Sequence, residues 1–91
     1  MAFRYSPASL QKLELLFKEG GYIVRYEKGN FHSGYCVLED RKVVVINKYL
    51  ETEARINSLL EILSTLPIDE ENLSDESKAF YQQVKTVKSH S

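Results

Sequence analysis

The segment Val43-Val44-Val45-Ile46-Asn47 constrains the fold more than any other part of the chain. Four apolar β-branched residues in a row are stiff at χ1 and pack well on a pleated surface, so the segment reads as a strand. Successive side chains of a strand point to opposite faces, so this one is apolar on both. Such a strand belongs in the middle of a sheet or under good cover.

The segments before it supply neighbours. Tyr22 to Glu27 has a period of two and reads as a strand, and Lys28-Gly29-Asn30 is turn chemistry. His32 to Leu38 reads as a second strand, with Glu39-Asp40-Arg41-Lys42 as the turn into the third. These connections are short, which predicts an antiparallel meander.

Helices flank the strands. Ser6-Pro7 is a helix start: the serine hydroxyl caps free N–H groups, and proline at the first helical position loses nothing by lacking its own. Leu10, Leu13, Leu16 and Phe17 follow at helical spacing, and Gly20-Gly21 ends the run. A second helix begins near Glu51 to Glu53 and carries Ile56, Leu59, Leu60, Leu63 and Leu66 on one stripe until Pro67. Ser74 caps a third, in which Asp75 and Glu76 sit at the positive end and Leu73, Phe80, Val84 and Val87 share a face. The sequence therefore predicts an α+β fold: helix, three-stranded antiparallel meander, then two helices packed on one face of the sheet. Its 91 residues suit one domain, residues 1–91, with an ordered core over about 6–87.

Charge narrows the function classes. The net charge is −1, so no global field recruits nucleic acid or an anionic membrane. Residues 1–50 hold eight Lys/Arg and five Asp/Glu, whereas residues 51–91 hold four and eight, an asymmetry that suits docking or self-association. The single cysteine, Cys36, argues against a disulfide-stapled secreted domain. No N-terminal stretch has signal-peptide organisation, and the longest apolar run is too short to span a bilayer. The expected location is the cytoplasm.

Candidate chemistry is sparse. His32 and Cys36 fall on one face of the expected second strand, and such a pair suits a thiolate nucleophile or half of a metal site. Residues two apart on a strand face are already about 7 Å from each other, and this pair is twice as far apart. The other histidine, His90, lies in a tail expected to fray. Gly29, Asn30 and Gly34 lie between strands, where no phosphate loop forms. No cofactor or metal is expected. Between Tyr22 and Tyr35, aromatic and basic residues interleave, and exposed on a sheet they suit a partner or ligand surface made by Arg25, Tyr26, His32, Tyr35 and Cys36. The same residues could stack the bases of RNA or single-stranded DNA, but the net charge and the lack of an RNA-binding signature argue against it.

Two resemblances add to this. Ile46-Asn47, Leu50, Arg55 and Leu60-Glu61-Ile62-Leu63 form a strand–loop–helix pattern that resembles the core of zincin metallopeptidases. On that pattern Glu61 falls where the family has its general base, but Leu60 and Ser64 fall where it has zinc-binding histidines. The resemblance thus implies a scaffold without the enzyme. Gly21-Tyr22, Arg25-Tyr26-Glu27-Lys28-Gly29-Asn30-Phe31, Ser33-Gly34-Tyr35-Cys36, Leu38-Glu39-Asp40, and Arg55-Ile56-Asn57 with Leu59, carry a broader likeness over residues 10–66. There the chain resembles a family of small uncharacterised bacterial proteins, which implies no activity. The reading that follows is a small non-enzymatic binding or protein-interaction module, with a protein partner or a homo-oligomer. The alternatives are an enzyme with a site around Cys36 or Glu61, and a sheet-surface binder of RNA or single-stranded DNA.

Overall fold

A computed structural model describes residues 4–85. The element order is α1 (Pro7–Glu19), β1 (Ile23–Glu27), β2 (Gly34–Leu38), β3 (Arg41–Asn47), α2 (Thr52–Leu63), a short 3-10 turn (Glu70–Asn72) and α3 (Asp75–Val84). The expected contribution of Val87 to the third helix, the fraying after Lys88 and His90 lie outside the described residues.

The helix ends are set by the residues that the sequence singles out. Ser6 caps α1 by accepting from the Ser9 N–H at 3.3 Å, with Pro7 at the first turn. At the other end Gly21 adopts φ +93°, where a glycine carries no steric penalty. Its N–H donates to the Lys18 carbonyl at 3.1 Å, and the Tyr22 N–H donates to Phe17 at 2.9 Å. This is a Schellman cap, and the accompanying apolar contact is the edge-to-face pair of Phe17 and Tyr22, 6.0 Å between centroids. Ser74 caps α3 through the Ser77 N–H at 3.2 Å. The Glu51 side chain makes no such bond at the start of α2. Arg55 holds the chain entering that helix instead, donating to the carbonyls of Leu50 and Lys48, each at 2.8 Å.

The class is α+β, as expected, but the sheet is mixed rather than an antiparallel meander. Its strand order is β1-β3-β2, with β1 parallel to β3 and β2 antiparallel to it. The turn between β2 and β3 is a tight hairpin: Glu39 and Asp40 both have positive φ, at 50° and 69°, the conformation whose twist matches the flanking strands. The connection between β1 and β2 is different. Residues 28–33 do not turn back beside β1; they cross the end of the sheet and leave a strand's width between β1 and β2, which β3 fills. A six-residue loop easily spans two strand spacings, about 10 Å, so its length did not require adjacency. The second strand also starts at Gly34, which leaves His32 in the crossing loop.

Asn47, the last residue of β3, fixes that crossing. Its side-chain amide donates to the carbonyls of Gly29 (2.9 Å) and Phe31 (3.0 Å), and its backbone N–H donates to the Ser33 hydroxyl at 3.0 Å. One side chain at the end of the central strand thus satisfies loop carbonyls that no strand partner meets.

The core lies on one side of the sheet. Leu13, Leu16, Phe17, Ile56 and Leu59 from α1 and α2 close over Val44 and Ile46, all with 0% exposure, and Tyr22, Val24 and Tyr26 join them. Full burial of each aliphatic side chain contributes about 1.5–3 kcal/mol. The α1 helix contacts β1, α2 contacts β3 and β2, and α3 packs against α1. Every sheet residue in this core has the same alternation phase, so the described helices cover one face and leave the other open.

Candidate interaction surface

Alternation and register assign each strand residue to a face. On the covered face lie Tyr22, Val24 and Tyr26 of the first strand segment, Lys42, Val44 and Ile46 of β3, and Tyr35 and Val37 of β2. On the open face lie Ile23, Arg25 and Glu27, then Val43 and Val45, then Gly34, Cys36 and Leu38. The five residues expected to form one surface are therefore divided. Arg25 and Cys36 are on the open face, Tyr26 and Tyr35 on the covered face, and His32 is exposed in the crossing loop.

Tyr26 is built into the fold. Its hydroxyl donates to the Glu14 carboxylate on α1. The Arg55 guanidinium lies 4.9 Å from its ring centroid. Burial, reinforced by the bond to Glu14, raises the pKa of this hydroxyl well above the usual tyrosine value. It stays a protonated donor linking α1, β1 and α2. Tyr35 lies at the margin of the covered face, edge-to-face with Tyr22 at 5.8 Å between centroids. The Tyr22 hydroxyl in turn donates to the Pro67 carbonyl at 2.7 Å.

The open face combines an apolar centre with a charged border. A shallow cleft is lined by Ile23, Val43 and Leu38, with Arg25, Arg41 and Glu39 around them. Val43 is 3% exposed with no described helix over it; Ile23 (41%) and Leu38 (51%) remain open to solvent. Arg25 pairs with Glu27 at 2.9 Å, a contact between half-exposed side chains that contributes little to stability. Cys36 is a free, half-buried thiol beside this centre. Ile23, Leu38 and Arg41 line this face without being among the five residues expected from the sequence. The signal was the alternation itself, since placing Tyr22 and Tyr26 inward turns Ile23 and Arg25 outward.

The residues of the zincin-like pattern take ordinary positions. Leu60 is buried in the helix core, Glu61 is exposed, and the Ser64 hydroxyl donates to the Glu61 carbonyl at 2.6 Å. Among the described residues, no three His, Cys, Asp or Glu side chains converge as a metal site would require. No helix among them is long and apolar enough to cross a membrane. No family model matches the chain, and no curated protein or solved structure matches it.

Proposed function

We propose that the chain is a small non-enzymatic protein-interaction module that binds a polypeptide partner on the open face of its sheet. The observation that carries this is the one-sided layering. Helices α1 and α2 cover one face, with α3 packed against α1, while the other face presents Ile23, Val43 and Leu38 within a border of Arg25, Arg41 and Glu39. An apolar centre with a polar, charged rim is the usual anatomy of a protein interface. Arg41 has no ion-pair partner among the described residues, and its guanidinium suits a carboxylate on the partner.

A polypeptide fits this face better than RNA or single-stranded DNA. Base stacking needs exposed aromatic rings, and the sheet aromatics Tyr22, Tyr26 and Tyr35 belong to the opposite face. The border also mixes carboxylates with guanidinium groups, whereas a phosphate-tracking groove is uniformly basic. The single half-buried thiol fits a reducing compartment, the cytoplasm.

The test uses a displayed random-peptide library selected on the immobilised chain. Selected peptides are then measured against the wild type, Ile23→Ser and Arg25→Glu on the open face, and Lys78→Glu on α3. Each variant is first checked for a native melting curve. The reading predicts that both open-face substitutions weaken binding and Lys78→Glu does not. Peptides that ignore both open-face substitutions would contradict it.

A further inference from the structure

We infer that two copies of this chain associate through the free edge of β2, antiparallel about a two-fold axis beside Cys36, to form a continuous six-stranded sheet. The inference deepens the interaction reading by naming one partner, a second copy. It uses the edge of the sheet, with Leu38 shared between that edge and the open-face cleft.

The phase of the hydrogen bonds shows which groups the edge offers. A two-residue hairpin loop makes Leu38 and Arg41 a hydrogen-bonded pair, and such pairs alternate along the ladder. Backbone groups of odd-numbered β3 residues thus point toward β2, and those of even-numbered residues toward β1. The bonds at the strand end agree: the Asn47 N–H donates to Ser33 on the β2 side, and the Lys48 N–H donates to Glu27 of β1 at 2.8 Å. Within β2, Gly34, Cys36 and Leu38 then face β3 with their backbone groups. Tyr35 and Val37 direct theirs to the outer edge, where no further strand lies among the described residues.

This edge lacks the devices that protect free edges. Natural edge strands carry lysine, proline, bulges or inward charges that prevent pairing with another chain. β1, the other edge, carries Arg25 and Glu27 and has Glu14 and Lys18 of α1 alongside. By contrast, Gly34-Tyr35-Cys36-Val37-Leu38 holds no charge and no proline. Its apolar side chains are unusually open, with Tyr35 at 39%, Val37 at 58% and Leu38 at 51% exposure.

Among two-fold registers, the one centred on Cys36 uses the edge most fully. It makes Tyr35 of one copy and Val37 of the other a hydrogen-bonded pair, twice over, so both outward-facing residues are satisfied in both copies. It also sets an aromatic ring beside a β-branched side chain, a favourable cross-strand pair. On the open face it puts Leu38 opposite Gly34. A side chain added at Gly34 would meet nothing within 4 Å, so the glycine side of this pair is uncrowded. The ends are free of like-charge repulsion as well. The acidic hairpin Glu39-Asp40 of each copy comes opposite Ser33-His32 of the other, with Lys28 in the same exposed loop. Centring the axis on Tyr35 or on Val37 instead leaves one of the two outward residues against a loop or turn position.

The same register makes the two Cys36 residues a directly opposed, non-hydrogen-bonded pair with Cα atoms about 4.5 Å apart, within the span that a disulfide bridges. That supplies a geometric reporter. Sedimentation equilibrium of the full chain under reducing conditions, from micromolar to millimolar concentration, is expected to show a monomer–dimer equilibrium. Val37→Lys places an ammonium group at the edge and is expected to weaken the dimer by about tenfold or more, with the melting curve of the monomer preserved. Leu38→Asp, aimed at the opposed Gly34, serves as a second edge variant should the first fail to fold. Copper-phenanthroline with dioxygen, which takes two electrons and two protons from the paired thiols, is expected to couple wild-type Cys36 to its mate and to fail with the edge variants. A monomeric mass at every concentration, or a dimer indifferent to folded edge variants, overturns the inference. A monomer whose peptide binding still depends on Ile23 and Arg25 overturns the dimer alone. A Cys36-coupled dimer whose peptide binding ignores those residues overturns the face reading alone.

Discussion

The side-chain amide of Asn47 donates to the carbonyl of Phe31 at 3.0 Å, so the last residue of the central strand holds the loop that passes over its end. A second bond, to Gly29 at 2.9 Å, makes the tie bidentate. The amide's oxygen accepts from the Tyr49 N–H at 3.0 Å, which also shapes the departure toward α2. The mixed sheet thus has a specific local support.

Asn47→Ala is expected to cost about 1–3 kcal/mol, because two partly buried carbonyls lose their donor together. Asn47→Asp is expected to cost at least as much, since a carboxylate would face those carbonyls. Urea titration of both variants checks this, and hydrogen exchange should show the loss of protection concentrated in residues 28–33 and at the start of α2.

Tyr26→Phe keeps the ring under the Arg55 guanidinium and removes the hydroxyl bonded to Glu14. A cost of about 1 kcal/mol is expected from chemical denaturation near neutral pH. Tyr26→Leu is expected to cost more, because the cation–π contact goes too.

Alkaline pH probes the same residue. Burial first, then the bond to Glu14, raises the Tyr26 pKa above the ordinary 10.0. The folded state therefore holds this proton more tightly than the unfolded chain does. The resulting stability is complete below pH 10.0 and is lost as pH rises from there through the folded-state pKa. Urea midpoints measured across this range should fall less steeply for Tyr26→Phe than for the wild type. A residual slope is expected from Tyr22, whose pKa burial also raises.

Acid probes the contact between α1 and α3. The Ser74 backbone N–H donates to Glu19 at 2.9 Å and holds its carboxyl below the ordinary 4.5, with help from the Ser77 side chain. A lowered folded-state pKa gives stability that is present above pH 4.5 and lost as pH falls through the folded value. Glu19→Gln should flatten this part of the acid profile. Ser74→Ala leaves that backbone donor in place but removes the α3 cap, and is expected to cost about 1 kcal/mol at neutral pH.

What the sequence discloses follows from how local each signal is. Ser6-Pro7, Gly20-Gly21, Pro67 and Ser74 act on their own backbone neighbourhood, and the helices begin and end near them. The doubly apolar Val43–Ile46 run calls for a central or well-covered strand; β3 is central, whereas the expected meander would have put it at an edge. Strand order is a long-range property. A loop of residues 28–33 serves a hairpin or a crossing equally well, and the choice depends on Asn47, distant in sequence, meeting Gly29 and Phe31. The expected surface divides for a related reason. Arg25 and Tyr26 are adjacent in the chain and so point to opposite faces, and only the position of α1 and α2 decides which face is covered.

Site-specific photocrosslinking in living cells tests the interaction reading most directly. A photoreactive phenylalanine analogue is placed in turn at Arg25 on the open face and at Lys78 on α3, in chains with native melting curves. The account predicts discrete polypeptide adducts from position 25 and none from position 78. Adducts from position 78 with none from position 25 would contradict it, and would put the working surface on the helical side of the molecule.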